Sequence, residues 1–172
     1  MSEDMKGKRY IGFFITAMVP VLLLLGGCTI DQTATDLVNY ANQGLLNIAE
    51  LERKALEHYA SAVGENYTTE QRVYEELRDH VVPLYGRFLK GLREVNPNAE
   101  EIRRVHGIYL AGAEMLYEGF RTKMMGIEMK NEGVVLQGNE KIIKGREEVN
   151  RWRIELVELY KKYGVAEMGS EK

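Results

Sequence analysis

A chain of 172 residues with 23 basic and 26 acidic side chains carries a net charge of −3, which has neither the sign nor the patterning to hold a phosphate backbone or an anionic bilayer, so nucleic-acid binding is excluded. Its one cysteine rules out a disulfide framework, and stability must come from packing alone, for which the length suffices in a single domain.

The block Met1 to Arg9 holds Lys6, Lys8 and Arg9, and an apolar run follows from Ile11 to Leu25. Charged first and apolar second is the order of an export signal. The run contains Pro20 and falls short of the roughly 20 residues that a membrane-crossing helix needs. Next stands Leu25-Gly26-Gly27-Cys28, which resembles the lipobox of bacterial lipoproteins.

That resemblance covers the signal only. It implies that residues 1–27 are a signal peptide, cleaved before Cys28, and that Cys28 carries a thiol-linked diacylglyceryl group and an acyl chain such as palmitate on the new amino terminus. As the only cysteine, Cys28 has no competing disulfide partner. Each buried CH₂ contributes only about 0.8 kcal/mol, so several acyl chains are needed to anchor the protein to the extracytoplasmic side of a membrane. In the same family an Asp after the lipidated Cys marks inner-membrane retention. Thr29 stands there instead, which implies the outer membrane in a host that has two. Cleavage removes Lys6, Lys8, Arg9, Glu3 and Asp4 and leaves 20 basic and 24 acidic residues, a net charge of −4.

Residues 28–35 read as the lipidated Cys and a polar tether. From there the apolar positions follow a helical period, with no alternation that suggests a strand. The first stripe is Leu37, Ala41, Leu45, Ile48, Leu51, Ala55, Tyr59, Ala62, and Gly64 fits its stop. Thr68 with Gln71 is a capping box that starts a second helix near Thr69, with the stripe Val73, Leu77, Val81, Leu84, Phe88, Leu92, Val95. Asn96-Pro97-Asn98 ends it. Asn98 with Glu101 would cap a third helix, striped Ile102, Val105, Tyr109, Ala113, Leu116, Phe120, Met124, Ile127. The fourth has a coiled-coil seam, Ile142, Gly145, Val149, Trp152, Leu156, Leu159, Tyr163, with Lys161 and Lys162 in its last turn and Gly164 as its stop. Four long helices with short turns predict an all-α fold, an antiparallel up-down four-helix bundle over 36–164, followed by a loose tail at 165–172.

Gly112, Gly119, Gly126 and Gly133 recur every seven residues, as do Gly138 and Gly145. A helical glycine costs about 1 kcal/mol relative to alanine, so a column of them requires an offsetting gain, the close approach of another helix. Symmetry of the two series about a point between 135 and 136 pairs Gly126 with Gly145, Gly119 with Trp152 and Gly112 with Leu159. Gly133 and Gly138 would then bracket a turn, with Asn139 as cap. Alternatively residues 98–163 form one rod of about 100 Å, at about 1.5 Å per residue, whose glycines pack a second copy in a coiled-coil dimer.

A di-iron site needs Glu-x-x-His on two helices, and Glu57-His58 and Glu76 with His80 lack that spacing. Counted down from a turn near residue 66, His58 lies about 12 Å below, His80 about 20 Å, and His106, on a helix that enters from the opposite end, about 30 Å, so one metal site cannot use all three and each reads as a solvated or hydrogen-bonded flank residue. Met115, Met124, Met125 and Met129 crowd one helix as a soft-metal cluster would, though Met124 already lies on the apolar stripe. After cleavage only Ser61 and Ser170 remain as serines, with no nucleophile elbow, phosphate loop or zinc signature, so no catalytic residue and no enzyme is expected.

Pro83 removes one helical donor and frees the carbonyl of Asp79. A kink there, with Asp79, His80 and Tyr85 around it, would open a ligand pocket or bend one helix around the core. The expectation is therefore a membrane-tethered bundle that acts as a binding or protein-interaction module, with no cofactor beyond the lipid on Cys28. The alternative is a carrier of a small ligand or soft metal in the bundle interior.

Overall fold

The computed structural model describes residues 31–165. The signal segment, Cys28, Thr29 and residues 166–172 of the tail lie outside the described residues. Among the described residues every element is helical and none is a strand. Four rods follow in chain order: α1, residues 32–60; α2, residues 70–94; α3, Glu100–Glu128; and α4, Glu132–Tyr163.

Helix α1 begins earlier than a tether reaching residue 35 allows. The Asp31 carboxylate accepts from the amide of Thr33 at 2.9 Å, which satisfies one orphan donor and starts the helix at Gln32. The cap decides the boundary here, because the first apolar residue turned inward is Leu37.

Two π-helical turns interrupt the α geometry, Tyr40–Leu45 in α1 and Leu77–Val81 in α2. In each a backbone N–H reaches five residues back, Leu46 to Ala41 and Val82 to Leu77. The extra residue in the turn rotates the inward face of the helix beyond it. The buried set is therefore not the one a strict 3.6 period selects. Beyond the second turn, Tyr85 is fully buried where Leu84 is only half-buried.

The connection from α1 to α2 spans 61–69 and contains a 3₁₀ turn, Gly64–Asn66, with Gly64 at φ 63°. Thr69 caps α2 by accepting from the amide of Arg72 at 3.1 Å, one residue later than the capping box predicts. At the next turn Asn98 does not cap. Ala99 occupies that position without a side-chain bond, and the Arg103 guanidinium instead donates to the backbone carbonyls of Pro97 and Asn98.

Helices α3 and α4 form a hairpin, which overturns the single rod. The turn is Met129, Lys130 and Asn131. Lys130 adopts φ 52°, the Asn131 amide donates back to the Gly126 carbonyl at 2.8 Å, and the Asn131 side chain accepts from Val134 N at 3.3 Å to start α4. Gly133 and Gly138 therefore do not bracket the turn, and Asn139 is no cap. Both glycines lie inside α4.

The glycine column is the contact between the two rods, in a shifted register. A Cβ on Gly112 would stand 2.9 Å from Val149 N, one on Gly119 2.8 Å from Ile142 N, and one on Gly126 2.6 Å from Val135 N. From the other side, a Cβ on Gly138 would stand 2.5 Å from Lys123 N and one on Gly145 2.8 Å from Leu116 N. Backbone meets backbone along the whole seam. Trp152 accordingly does not cover Gly119; it stacks on Tyr109, with ring centroids 3.9 Å apart. Ion pairs flank the seam, Lys141 with Glu118 at 3.1 Å and Lys162 with Glu101 at 2.6 Å, each of small value at this exposure.

Each rod packs against the next, and the opening segment of α1, Gln32–Asn39, meets α4. The interior divides in two. The larger part holds Tyr59, Leu77, Tyr85, Phe88, Leu116 and Phe120. The smaller, toward the start of α1, holds Leu37, Tyr40, Ile102, Val105, Leu156 and Leu159. Trp152 and Leu45 touch both.

Candidate functional site

Pro83 lies just after the π turn of α2, as the second residue of Val82–Glu94. The turn accommodates the missing donor: the ladder has already shifted at Val82, whose amide bonds to Leu77. Of the four residues expected around a pocket there, Asp79 and Pro83 are exposed, His80 points outward, and Tyr85 is in the core. Asp79 pairs with its neighbour Arg78 at 2.6 Å, and that guanidinium holds its carboxyl below the usual carboxylate range. The four do not converge.

Tyr85 belongs to a different constellation. Its hydroxyl donates to Glu52 Oε1 at 3.4 Å, and that of Tyr109 donates to Glu52 Oε2 at 2.6 Å. One carboxylate thus ties α1 to α2 and α3. Burial pushes the Glu52 carboxyl above its ordinary value of 4.5, against the pull of the two hydroxyls. Burial and the adjacent carboxylate likewise hold both phenols protonated. The rings extend the network: Tyr85 meets Phe88 and Phe120 edge-on at 5.1 and 5.3 Å, and Tyr109 carries Trp152. Glu52 was missing from the apolar stripe because it is an acid among apolar neighbours.

The second constellation is His58, Glu76 and His80, where α1 faces α2. His58 Nδ1 lies 2.9 Å from Glu76 Oε2, and the His80 ring stacks on the His58 ring with centroids 4.1 Å apart and planes 11° apart. Arg72 holds the other Glu76 oxygen at 2.8 Å. Glu76 is 9% exposed while His80 lies in the open. Beside them is a shallow recess of about 350 Å³, lined by Lys54, Glu57, His58, Ser61, Arg72 and Glu76.

The helix-height estimate that separated His58 from His80 fails because it treats the connection as one point. The nine residues from 61 to 69 include an extended stretch, so equal heights no longer match equal counts from residue 66. The signal that would have found the site is the four-residue interval between Glu76 and His80, which places both on one helix face. Measured only against Glu-x-x-His, that interval looks wrong.

His106 stands apart from this group, as its height implied. It is 7% exposed, its Nδ1 is 3.3 Å from the Tyr40 hydroxyl, and burial lowers its pKa from the ordinary 6.5, opposed by a hydrogen bond to the Leu92 backbone. The methionines form no shared interior site: Met115, Met125 and Met129 are exposed, and Met124 packs on the larger core. No helix of the described residues is long and apolar enough to cross a membrane. No protein-family model, curated protein or solved structure matches this chain.

Proposed function

We propose that the chain is a bacterial lipoprotein whose mature part, an antiparallel up-down four-helix bundle, is tethered to the extracytoplasmic face of a membrane through Cys28 and acts there as a protein-interaction module. The observation that carries this reading is the order of Lys6, Lys8 and Arg9, the apolar run to Leu25, and Leu25-Gly26-Gly27-Cys28. The short connections between successive rods and the contact of α1 with α4 support the bundle. An interaction surface is supported by Leu136, Ile143 and Ile154, which are 62%, 56% and 55% exposed. Their intervals of seven and eleven residues put them on one side of α4, where each offers an apolar contact to a partner.

The test is mass spectrometry of the amino-terminal peptide together with fractionation of cells making the wild type or Cys28→Ala. The expected wild type begins at a multiply acylated Cys28 and sediments with membranes, while the variant does neither. Membrane retention of Cys28→Ala with residues 1–27 cleaved would sink the tether.

A second reading, carriage of a small ligand, is favoured by one feature. A recess of about 370 Å³ at the α1–α2 end is lined by Val63, Tyr67, Val73, Ile127 and Val135 with Glu70 and Lys123, combining an apolar wall with one acid and one base. Native mass spectrometry of protein from its own host distinguishes the readings: a bound small mass favours carriage, and the bare acylated chain favours the interaction module.

A further inference from the structure

We propose that His58, Glu76 and His80 bind a divalent first-row transition ion of the zinc kind, at a site built across α1 and α2. One ligand atom from each residue lies within 4.8 Å of the others. Around a tetrahedral ion with bonds near 2.1 Å, ligand atoms sit about 3.4 Å apart, so the widest pair needs to draw in by at most about 1.4 Å. His58 and Glu76 are already closer than that, at 2.9 Å. The remaining motion falls to His80, whose exposed ring is free to swing from its stacked position.

The support around the ligands is arranged as a metal site requires. Glu76 is fixed on one side by Arg72, four residues earlier on the same helix, leaving Oε2 directed at His58. A carboxylate held in this way offers a preset ligand atom rather than a mobile one. Glu76 and His80 are also joined through the π turn Leu77–Val81, a wider turn of the kind often found at functional sites. The hydrogen bond between His58 and Glu76 accounts for two of the three side chains. The stack of His80 on His58 then holds a second imidazole beside that pair, within reach of a shared ion.

The donor set fixes the class of ion. Two imidazoles with one carboxylate suit zinc, copper or nickel, whereas magnesium and calcium require oxygen donors. Three protein ligands beside an open recess leave a further position for water or an incoming donor.

The experiment titrates the full-length chain, purified in detergent and stripped with chelator, with Zn²⁺ by calorimetry, with Mg²⁺ and Ca²⁺ as controls. One Zn²⁺ per chain is expected, together with a rise in melting temperature that Mg²⁺ and Ca²⁺ do not produce. His80→Gln should weaken Zn²⁺ binding by at least tenfold while melting like wild type in the absence of metal, since His80 is exposed. His58→Gln should weaken binding as much and also lower the metal-free melting temperature, because it removes the hydrogen bond to Glu76. With Cu²⁺ in place of Zn²⁺, paramagnetic resonance should show coupling to two imidazole nitrogens, and to one in His80→Gln. Absence of Zn²⁺ binding by the wild type overturns the site. Undiminished affinity in His80→Gln overturns it as well, because that variant keeps the His58–Glu76 hydrogen bond intact.

Discussion

Trp152 lies flat on Tyr109, ring centroids 3.9 Å apart and planes within 10°, and this stack shares the register of the glycine seam, in which Gly119 meets Ile142 and Gly126 meets Val135. The numbers in each pair are equidistant from the turn between Lys130 and Asn131. A single geometric relation thus places the indole over the phenol that also donates to Glu52.

Gly119→Ala should destabilise the fold, because its new Cβ would meet the Ile142 amide and the Gly138 carbonyl at 2.8 and 3.0 Å, and backbone cannot step aside. Overpacking of this kind costs about 1–3 kcal/mol, or several degrees of melting temperature at roughly 2–4 °C per kcal/mol. Gly107→Ala, in the same helix with open space around it, should instead gain about 0.5–1 kcal/mol from helix propensity alone. Paired thermal melts check both, and a stable Gly119→Ala would contradict the seam.

Lys130 occupies the left-handed region at φ 52°, which costs an L-residue about 1–2 kcal/mol. Lys130→Gly should therefore raise stability by about 0.5–1 kcal/mol after the greater freedom of its unfolded chain is counted. Lys130→Val should lower it, since a β-branched residue resists that conformation. Denaturant midpoints of the two variants should fall on opposite sides of wild type.

Glu52 has a pKa raised by burial, so the folded chain keeps a proton that the unfolded chain has already lost. Above the ordinary value of 4.5 this group makes stability fall as pH rises, until the folded-state pKa is passed. Glu52→Gln stays uncharged and can still bond to the Tyr85 and Tyr109 hydroxyls. It should match or exceed the wild-type melting temperature near neutrality, and that relative advantage should shrink toward about pH 4. An advantage that grew on acidification would refute the assignment.

His106 acts with the opposite sign. Its folded-state pKa is lowered by burial, so below the ordinary 6.5 the unfolded chain takes up a proton that the folded chain refuses, and stability drops as pH falls. In His106→Gln that part of the acid sensitivity should disappear. Melting temperatures measured every half unit between about pH 7 and pH 5 should show a flatter slope than wild type, consistent with the linkage.

Much of the fold was legible because apolar spacing is a direct consequence of helix geometry. Val105, Tyr109, Ala113, Leu116 and Phe120 are buried where the period of α3 puts them. The glycine repeat also revealed a close approach, because few other circumstances offset its cost. Its register was hidden, since the residue in the left-handed turn position is Lys130 and the search for a turn looks for glycine. Tyr85 was hidden for a different reason: it follows a π turn, where the 3.6 period ceases to apply. Neither His58–Glu76–His80 nor Glu52 with its two tyrosines was legible, because each joins residues of different helices, and their meeting depends on heights set by the 61–69 connection and on phases set by the π turns.

The glycine seam has a mechanical consequence. Where side chains separate two helices, rotamer changes let one slide or roll on the other. Between α3 and α4 the backbones touch directly, and a shift of one residue would drive a Cβ into a peptide plane. The pair therefore behaves as a single stiff spar. Any rearrangement the protein undergoes falls to α1 and α2, which rest on that spar through rings and aliphatic groups that can repack, pivoting at the short connection around Pro97.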